Sequence, residues 1–472
     1  MRRRIQWLTH RLGASGQTPK WLAWATINLS IAAYFCVGLV APASIGKTRW
    51  LPGETSHGHY QIEMDCDACH DPSRNTKKPT SADVMQDACI RCHGTQLQNA
   101  RDTHPAKKFR DPTNAVLLEV LDAQNCLSCH QEHVPEQTTA MGLTMPKDYC
   151  WHCHQEIADS RPSHQGMAFD SCATAGCHNY HDNRALYEKY LDDHFGQPDH
   201  LDVTTLPLRR SSSAGNGSTK KVISLSIQDA DYSPGQSFDT QLVNDWAETE
   251  HAAVGVNCTG CHRDDAQSDW SDAVSMDRCA RCHADQVDSF QTGKHGMRLS
   301  VGLPAMTPDQ ARLPMHADQA HSKLDCNACH AGHRFDSQFA SMQACLRCHA
   351  DNHSLAYQSS SHANLWRDEI AGSLPAGSGV SCATCHLPRL ENESGVWVNH
   401  DQNANLRPNE TMAREVCVHC HGLEYALSAL ADQKSIDACF ADPPATRIKS
   451  VEMAHQWFES RSTNRSTKGG GR

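Results

Sequence analysis

Ten times along the chain, two cysteines stand three apart with a histidine directly after the second. The stretches are CDACH (Cys66, Cys69, His70), CIRCH (Cys89, Cys92, His93), CLSCH (Cys126, Cys129, His130) and CWHCH (Cys150, Cys153, His154) in the first half. In the second half they are CTGCH (Cys258, Cys261, His262), CARCH (Cys279, Cys282, His283), CNACH (Cys326, Cys329, His330), CLRCH (Cys345, Cys348, His349), CATCH (Cys382, Cys385, His386) and CVHCH (Cys417, Cys420, His421). Composition alone would give on the order of 0.1 such matches, so the repetition is not accidental. An eleventh stretch, CATAGCH (Cys172, Cys177, His178), has four residues between its cysteines instead of two. Ala173, Thr174, Ala175 and Gly176 are small, so this longer loop can bulge outward without a clash. Eleven pairs use all but Cys36 and Cys439 of the 24 cysteines.

Two thiols followed at once by an imidazole suit one chemistry closely. The thiols reach the two vinyl groups of a haem and form thioethers, and the histidine falls under the iron as proximal ligand. Zinc ribbons need two cysteine pairs per metal and no fixed histidine after each. Ferredoxin-type clusters favour a run of cysteines closed by proline, and disulfide scaffolds do not repeat one local pair with an obligatory histidine. The reading is therefore eleven covalently bound haem c groups. No catalytic residue is assigned.

Eleven of the 31 histidines are proximal, and His10 lies in the basic N-terminal segment, which leaves nineteen for the second axial positions. Supply exceeds demand, so bis-histidine ligation is expected throughout, a coordination that suits electron transfer rather than substrate binding. The distal candidates are His133, His181 and His333, each three residues past a motif histidine, and His353, four past one. His57 and His59 precede the first motif and His251 the sixth; His104, His164, His295, His316, His321, His362 and His400 stand in the intervals. His152 and His419 lie inside motif loops and His455 in a tail helix, and these are weaker candidates. Met64, Met141, Met145, Met167 and Met297 are read as packing residues rather than ligands.

Residues 1–20 carry Arg2, Arg3, Arg4, Arg11 and Lys20 and no acid, and residues 21–46 carry no charge until Lys47. That pattern predicts a cytoplasmic basic segment and a transmembrane anchor or uncleaved signal, with the remainder outside the cytoplasm. Ala41-Pro42-Ala43 resembles a cleavage site, so removal is the alternative. The expected setting is the inner membrane, facing the periplasm. Hydrophobic residues make up 39% of the chain and aromatics 6%, thin for this length, so the porphyrins are expected to supply the missing core. The expected fold is mostly α with much irregular loop: two haem-packed groups after an N-terminal transmembrane helix. The pentahaem group spans 50–200, a linker 201–245 with one short strand at Val222–Ile227, and the hexahaem group 246–460. Residues 184–195 and 448–460 read as helices, and 461–472 as a disordered tail. A net charge of −11 excludes a basic nucleic-acid stripe. The expected partners are redox proteins, with quinol or a membrane quinol dehydrogenase as donor.

The motifs recur in doublets about twenty residues apart, at 66/89, 126/150, 258/279 and 326/345. With them, the chain resembles the multihaem c-type cytochromes of the cytochrome c3 kind, a family that also tolerates the longer spacing at 172–178. The resemblance implies an electron carrier. The closing stretch GVSCATCHLPR (379–389), NHDQNANLRPN and REVCVHCHGLEYALSAL is similar to the last haems of the hydroxylamine oxidoreductase and cytochrome c nitrite reductase group. That implies as alternative an oxidoreductase of nitrite, hydroxylamine or tetrathionate at a haem with an open axial site. No C-x-x-C-K motif is present, and Tyr425 reads as a packed tyrosine.

Overall fold

The computed structural model describes residues 18–40, 51–71, 81–100, 111–116, 122–139, 142–146, 148–161, 164–167, 172, 180–182, 186–208, 223–232, 239–265, 267–393, 395–406 and 410–469. His104, Met141, Cys177 and His178 lie outside them.

The motifs themselves are units of secondary structure. Most close a single helical turn, because the histidine amide donates to the carbonyl of the first cysteine: His70 to Cys66 at 2.8 Å, His130 to Cys126 at 2.8 Å, His283 to Cys279 at 2.8 Å and His421 to Cys417 at 2.8 Å. Where a motif starts its own helix, the residue before it is a good N-cap. Asn125 accepts from Leu127 N–H, Asp325 from Asn327 and Ala328, and Ser381 from Thr384. The second motif needs no cap of its own, since it sits inside a longer helix at Ser81–Asn99.

Eight elements carry the features described below. Helix α1 is Thr18–Val40, α2 is Ser81–Asn99, α3 is Glu188–Asp193 and α4 is Ser361–Ile370. Strands β1 (Arg389–Asn392) and β2 (Gly395–Val398) form an antiparallel hairpin that pairs Arg389 with Val398 and Leu390 with Trp397. Then come α5 (Leu423–Ala431) and α6 (Ser450–Gly469). The mostly helical, loop-rich class is as expected, with little sheet.

Four expectations are corrected. Helix α1 forms inside the apolar 21–46 stretch, but among the described residues no helix is long and apolar enough to cross a membrane. Within it Thr26 Oγ1 donates back to Leu22 O at 2.8 Å and Asn28 Nδ2 to Trp24 O at 2.7 Å. No strand forms at 223–227; Ser226 instead caps a 3-10 turn at Ile227–Asp229. The 184–195 helix shrinks to α3. The tail expected to be disordered is helical as far as Gly469, because α6 continues through it.

The apolar core is small and lies at the C-terminal end. Leu186 and Leu191 of the α3 region pack with Met412, Ala413, Val416, Leu423, Ala426, Leu427, Leu430, Val451 and Ala454. The spacing of Leu423, Ala426, Leu427 and Leu430 places one apolar face of α5 inward. Truncating Leu427 to Ala should cost about 2–5 kcal/mol, measured by chemical unfolding of the C-terminal region.

The two groups of motifs touch directly. Lys294 Nζ donates to His57 O and Gly58 O, both at 2.7 Å, and Arg298 Nη1 to Gln61 O at 2.8 Å. Arg312 lies over the Tyr60 ring, 4.3 Å from its centre. Residues 201–205 are held against the last motif, with Leu201 N–H on Cys420 O at 2.8 Å and Thr205 N–H on His419 O at 2.9 Å.

Candidate haem-binding sites

Successive motifs are spatial neighbours. In the first half Cys69 lies within electrostatic reach of Cys92, Cys89 hydrogen-bonds Cys126, and Cys129 and Cys150 approach Cys150 and Cys172 in turn. In the second half Cys261 neighbours Cys279, Cys279 bonds Cys326, Cys329 neighbours Cys345, Cys345 bonds Cys382, and Cys385 neighbours Cys417. The motifs thus stand in two files, each in sequence order. Burial pushes the Cys329 and Cys417 thiols up to about 12. These sulfurs occupy an apolar setting suited to neutral thioethers.

Nine motif histidines each face a second histidine. The ring centres are 6.5 Å apart for His70 and His133, 5.9 Å for His93 and His59, and 6.4 Å for His130 and His181. They are 5.9 Å apart for His262 and His333, 6.0 Å for His283 and His251, and 6.2 Å for His330 and His400. For His349 and His295, His386 and His353, and His421 and His362 the separations are 6.1, 6.1 and 6.2 Å. Direct stacking would bring the rings closer. Two imidazoles on opposite faces of one metal, each about 2 Å from it, have centres about 6.3 Å apart. The separations fit an iron between each pair.

The tautomers agree. His130 Nδ1 donates to Gly142 O (2.9 Å), His262 to Ser271 O (2.7 Å), His421 to Asp199 O (3.0 Å) and His93 to Gln96 Oε1 (2.8 Å). On the facing side His133 Nδ1 donates to Gly53 O (2.9 Å), His353 to Ile436 O (2.6 Å), His400 to Val398 O (2.9 Å) and His59 to Glu132 Oε1 (2.5 Å). Every acceptor is an oxygen that cannot donate, so Nδ1 carries the proton and Nε2 keeps its lone pair. This is the orientation that metal-binding histidines take from their outer partners. Burial pushes His295, His330, His362 and His386 down to about 4, which keeps these imidazoles neutral. Burial works against Glu132, yet hydrogen bonds from His59 and Ser56 hold its carboxyl down at about 2. Gly53 is required for His133: a Cβ there would stand 2.5 Å from His133 O.

Other expected candidates are placed differently. His57 lies against Tyr60, with ring centres 5.9 Å apart. His321 points to Asp309 at 3.7 Å with its side chain 90% exposed, and His316 caps the short turn at Ala317–Gln319. His164 is partly buried near Glu188 and Arg161. His419 hydrogen-bonds Thr205, and His455 bonds Asp192 and stacks on Phe195 at 3.8 Å. Met167 is exposed.

Two functional neighbours were not anticipated. His200 sits 4.8 Å from His421 and 5.4 Å from Tyr425, ring centre to ring centre, too close to His421 to share a metal with it. Cys439, left over from the pairs, is buried with its Sγ 3.8 Å from His353 Nε2. Neither residue belongs to a local motif. A repeat could have been read, however: His59 and His251 each stand eleven residues before a motif histidine, and His133 and His333 each follow one by three. Both His133 and His333 adopt left-handed backbone, with φ of 66° and 69°.

The cytochrome c3 family model matches residues 58–155 and again 250–350. Each match begins one residue before the upstream histidine, His59 or His251, and ends one after the fourth motif histidine, His154 or His349. Over both regions the chain matches the cytochrome c3 family, which is consistent with a multihaem c-type cytochrome. The family implies covalently bound haem c and electron transfer, and the paired histidines are where this cytochrome's haems would be held. No curated protein and no solved structure matches the chain. The motifs at 382–386 and 417–421 fall outside both matched regions, and no comparison supports their resemblance to hydroxylamine oxidoreductases.

Proposed function

We propose that this cytochrome carries eleven haem c groups and relays electrons along two files of bis-histidine irons. The eleven cysteine pairs would form the thioethers and their histidines the proximal ligands. His133, His59, His181, His333, His251, His400, His295, His353 and His362 would be distal ligands to the sites of His70, His93, His130, His262, His283, His330, His349, His386 and His421. The observation that carries this reading is the set of nine ring pairs at 5.9–6.5 Å. With both axial positions filled, the protein has no proton chemistry to perform; its work is spacing, ligation and tuning of potentials through burial.

The chain is proposed to work on the periplasmic side of the inner membrane, held there by the 21–46 stretch. Trp21, Leu22, Trp24, Ile27 and Leu29 of α1 are exposed and available for that contact. A quinol-oxidising membrane partner would supply electrons, and a periplasmic or outer-membrane acceptor would remove them. Purified holoprotein should return eleven iron porphyrins per chain by pyridine haemochrome assay and a low-spin ferric EPR spectrum. A count far below eleven, or several high-spin irons, would overturn the reading.

A further inference from the structure

A chain of hydrogen bonds between described residues links a histidine site of one file to a histidine site of the other. Gln96 lies one turn beyond His93 on α2, and Asp401 directly follows His400 after the β1–β2 hairpin. His93 Nδ1 donates to Gln96 Oε1 at 2.8 Å, and Gln96 Nε2 donates to Asp401 Oδ2 at 3.1 Å. Asp401 is only 4% exposed, and its Oδ1 accepts the Asn403 N–H at 2.9 Å. His400 faces His330 at 6.2 Å, while His93 faces His59 at 5.9 Å. Two hydrogen bonds and one stretch of backbone therefore lead from a paired histidine of the first file to a paired histidine of the second, with the buried end at Asp401 and the exposed end at Gln96 and His93. The neighbouring contacts of Lys294 and Arg298 end on backbone carbonyls of residues 57, 58 and 61 and clamp the halves around it.

We propose that Gln96 and Asp401 form the crossing at which the two files exchange electrons. This crossing rests on the bis-histidine ligation proposed for both files. His93 and His59 would hold the haem on one side of the crossing and His330 and His400 the haem on the other; one electron would pass from the reduced group to the oxidised one, and both hydrogen bonds would keep their protons. The amide–carboxylate bridge supplies a contiguous hydrogen-bonded path anchored at the buried Asp401. Because the crossing joins the second site of one file to the third of the other, the network is branched. Electrons entering at any end can leave by another.

The test uses the full-length holoprotein. A His59→Met exchange marks the first-file site, since histidine–methionine haem has its own visible band and a raised potential. A ruthenium photoreductant is attached through Leu313→Cys, an exposed position of the second half. After a flash, electrons should reach the marked haem quickly. Gln96→Leu should slow that arrival on the order of tenfold with haem content and static spectra unchanged. Asp401→Asn keeps the acceptor oxygen and should retain the native rate. Unchanged arrival in Gln96→Leu, or equal slowing in Asp401→Asn, would overturn the crossing. A His59→Met protein lacking the histidine–methionine band would instead refute the axial assignment, and is read before any flash.

Discussion

Made where haem cannot be attached, the polypeptide is expected to lose almost all of its tertiary structure. The buried apolar cluster joins only eleven side chains, all from Leu186–Leu191 and Met412–Ala454. A second cluster, Tyr357, Ala363 and Cys439, is three residues deep. Between residues 51 and 160 the described buried hydrophobics are Ile62, Ala88 and Tyr149. So few contacts cannot offset the conformational entropy of ordering that stretch, about 1–2 kcal/mol for each backbone residue fixed. The thiols and imidazoles lining the files are mostly half-buried or exposed and would pack onto a group that would be missing. Hydrogen exchange on chain expressed without the haem-attachment machinery should show protection confined to α5 and the adjoining part of α6, and near-UV circular dichroism should be nearly flat. Native-like protection around α2 in that material would show that side chains alone build the first file.

Replacing His362 by Ala should turn one haem per chain high-spin. His362 is held by α4, whose N-terminus is capped by Ser360, and its ring lies 6.2 Å from that of His421. Removing it leaves the last site with a single axial nitrogen. His200 cannot take over without moving, since its ring is already 4.8 Å from the proximal ring. Carbon monoxide should therefore bind one iron per chain beyond any bound in the unaltered protein, read from the reduced-plus-CO difference spectrum. His321→Ala, which alters an exposed side chain beside Asp309, should add none. If His200→Ala opened the site and His362→Ala did not, His200 rather than His362 would be the distal ligand.

Much of this was legible in the sequence because haem attachment is local chemistry. Five adjacent residues define a motif, close its helical turn and carry both thiols and the proximal imidazole. The three C-H-x-x-H endings also pointed to His133, His181 and His333, whose rings face histidines of other motifs. Which motif each reaches was not legible. His133 faces the first motif rather than its own, and His400 faces His330 across seventy residues, and such choices are made by tertiary packing. His200, Gln96 and Asp401 escaped notice for the same reason: their partners are remote in sequence. Residues 21–46 differ from the expectation in one respect: among the described residues no helix is long and apolar enough to cross a membrane.

The way the rings are paired has a consequence for biogenesis. A chain threaded outward from its N-terminus delivers His70 long before His133, His130 before His181, His262 before His333 and His330 before His400. Several newly attached irons must then wait, with one face bare, while dozens of residues emerge. His59 and His251, by contrast, come out ahead of the sites they complete. On the proposed periplasmic placement, export would be the interval in which this molecule is open to carbon monoxide, nitric oxide or cyanide, and a slow export apparatus would lengthen that exposure.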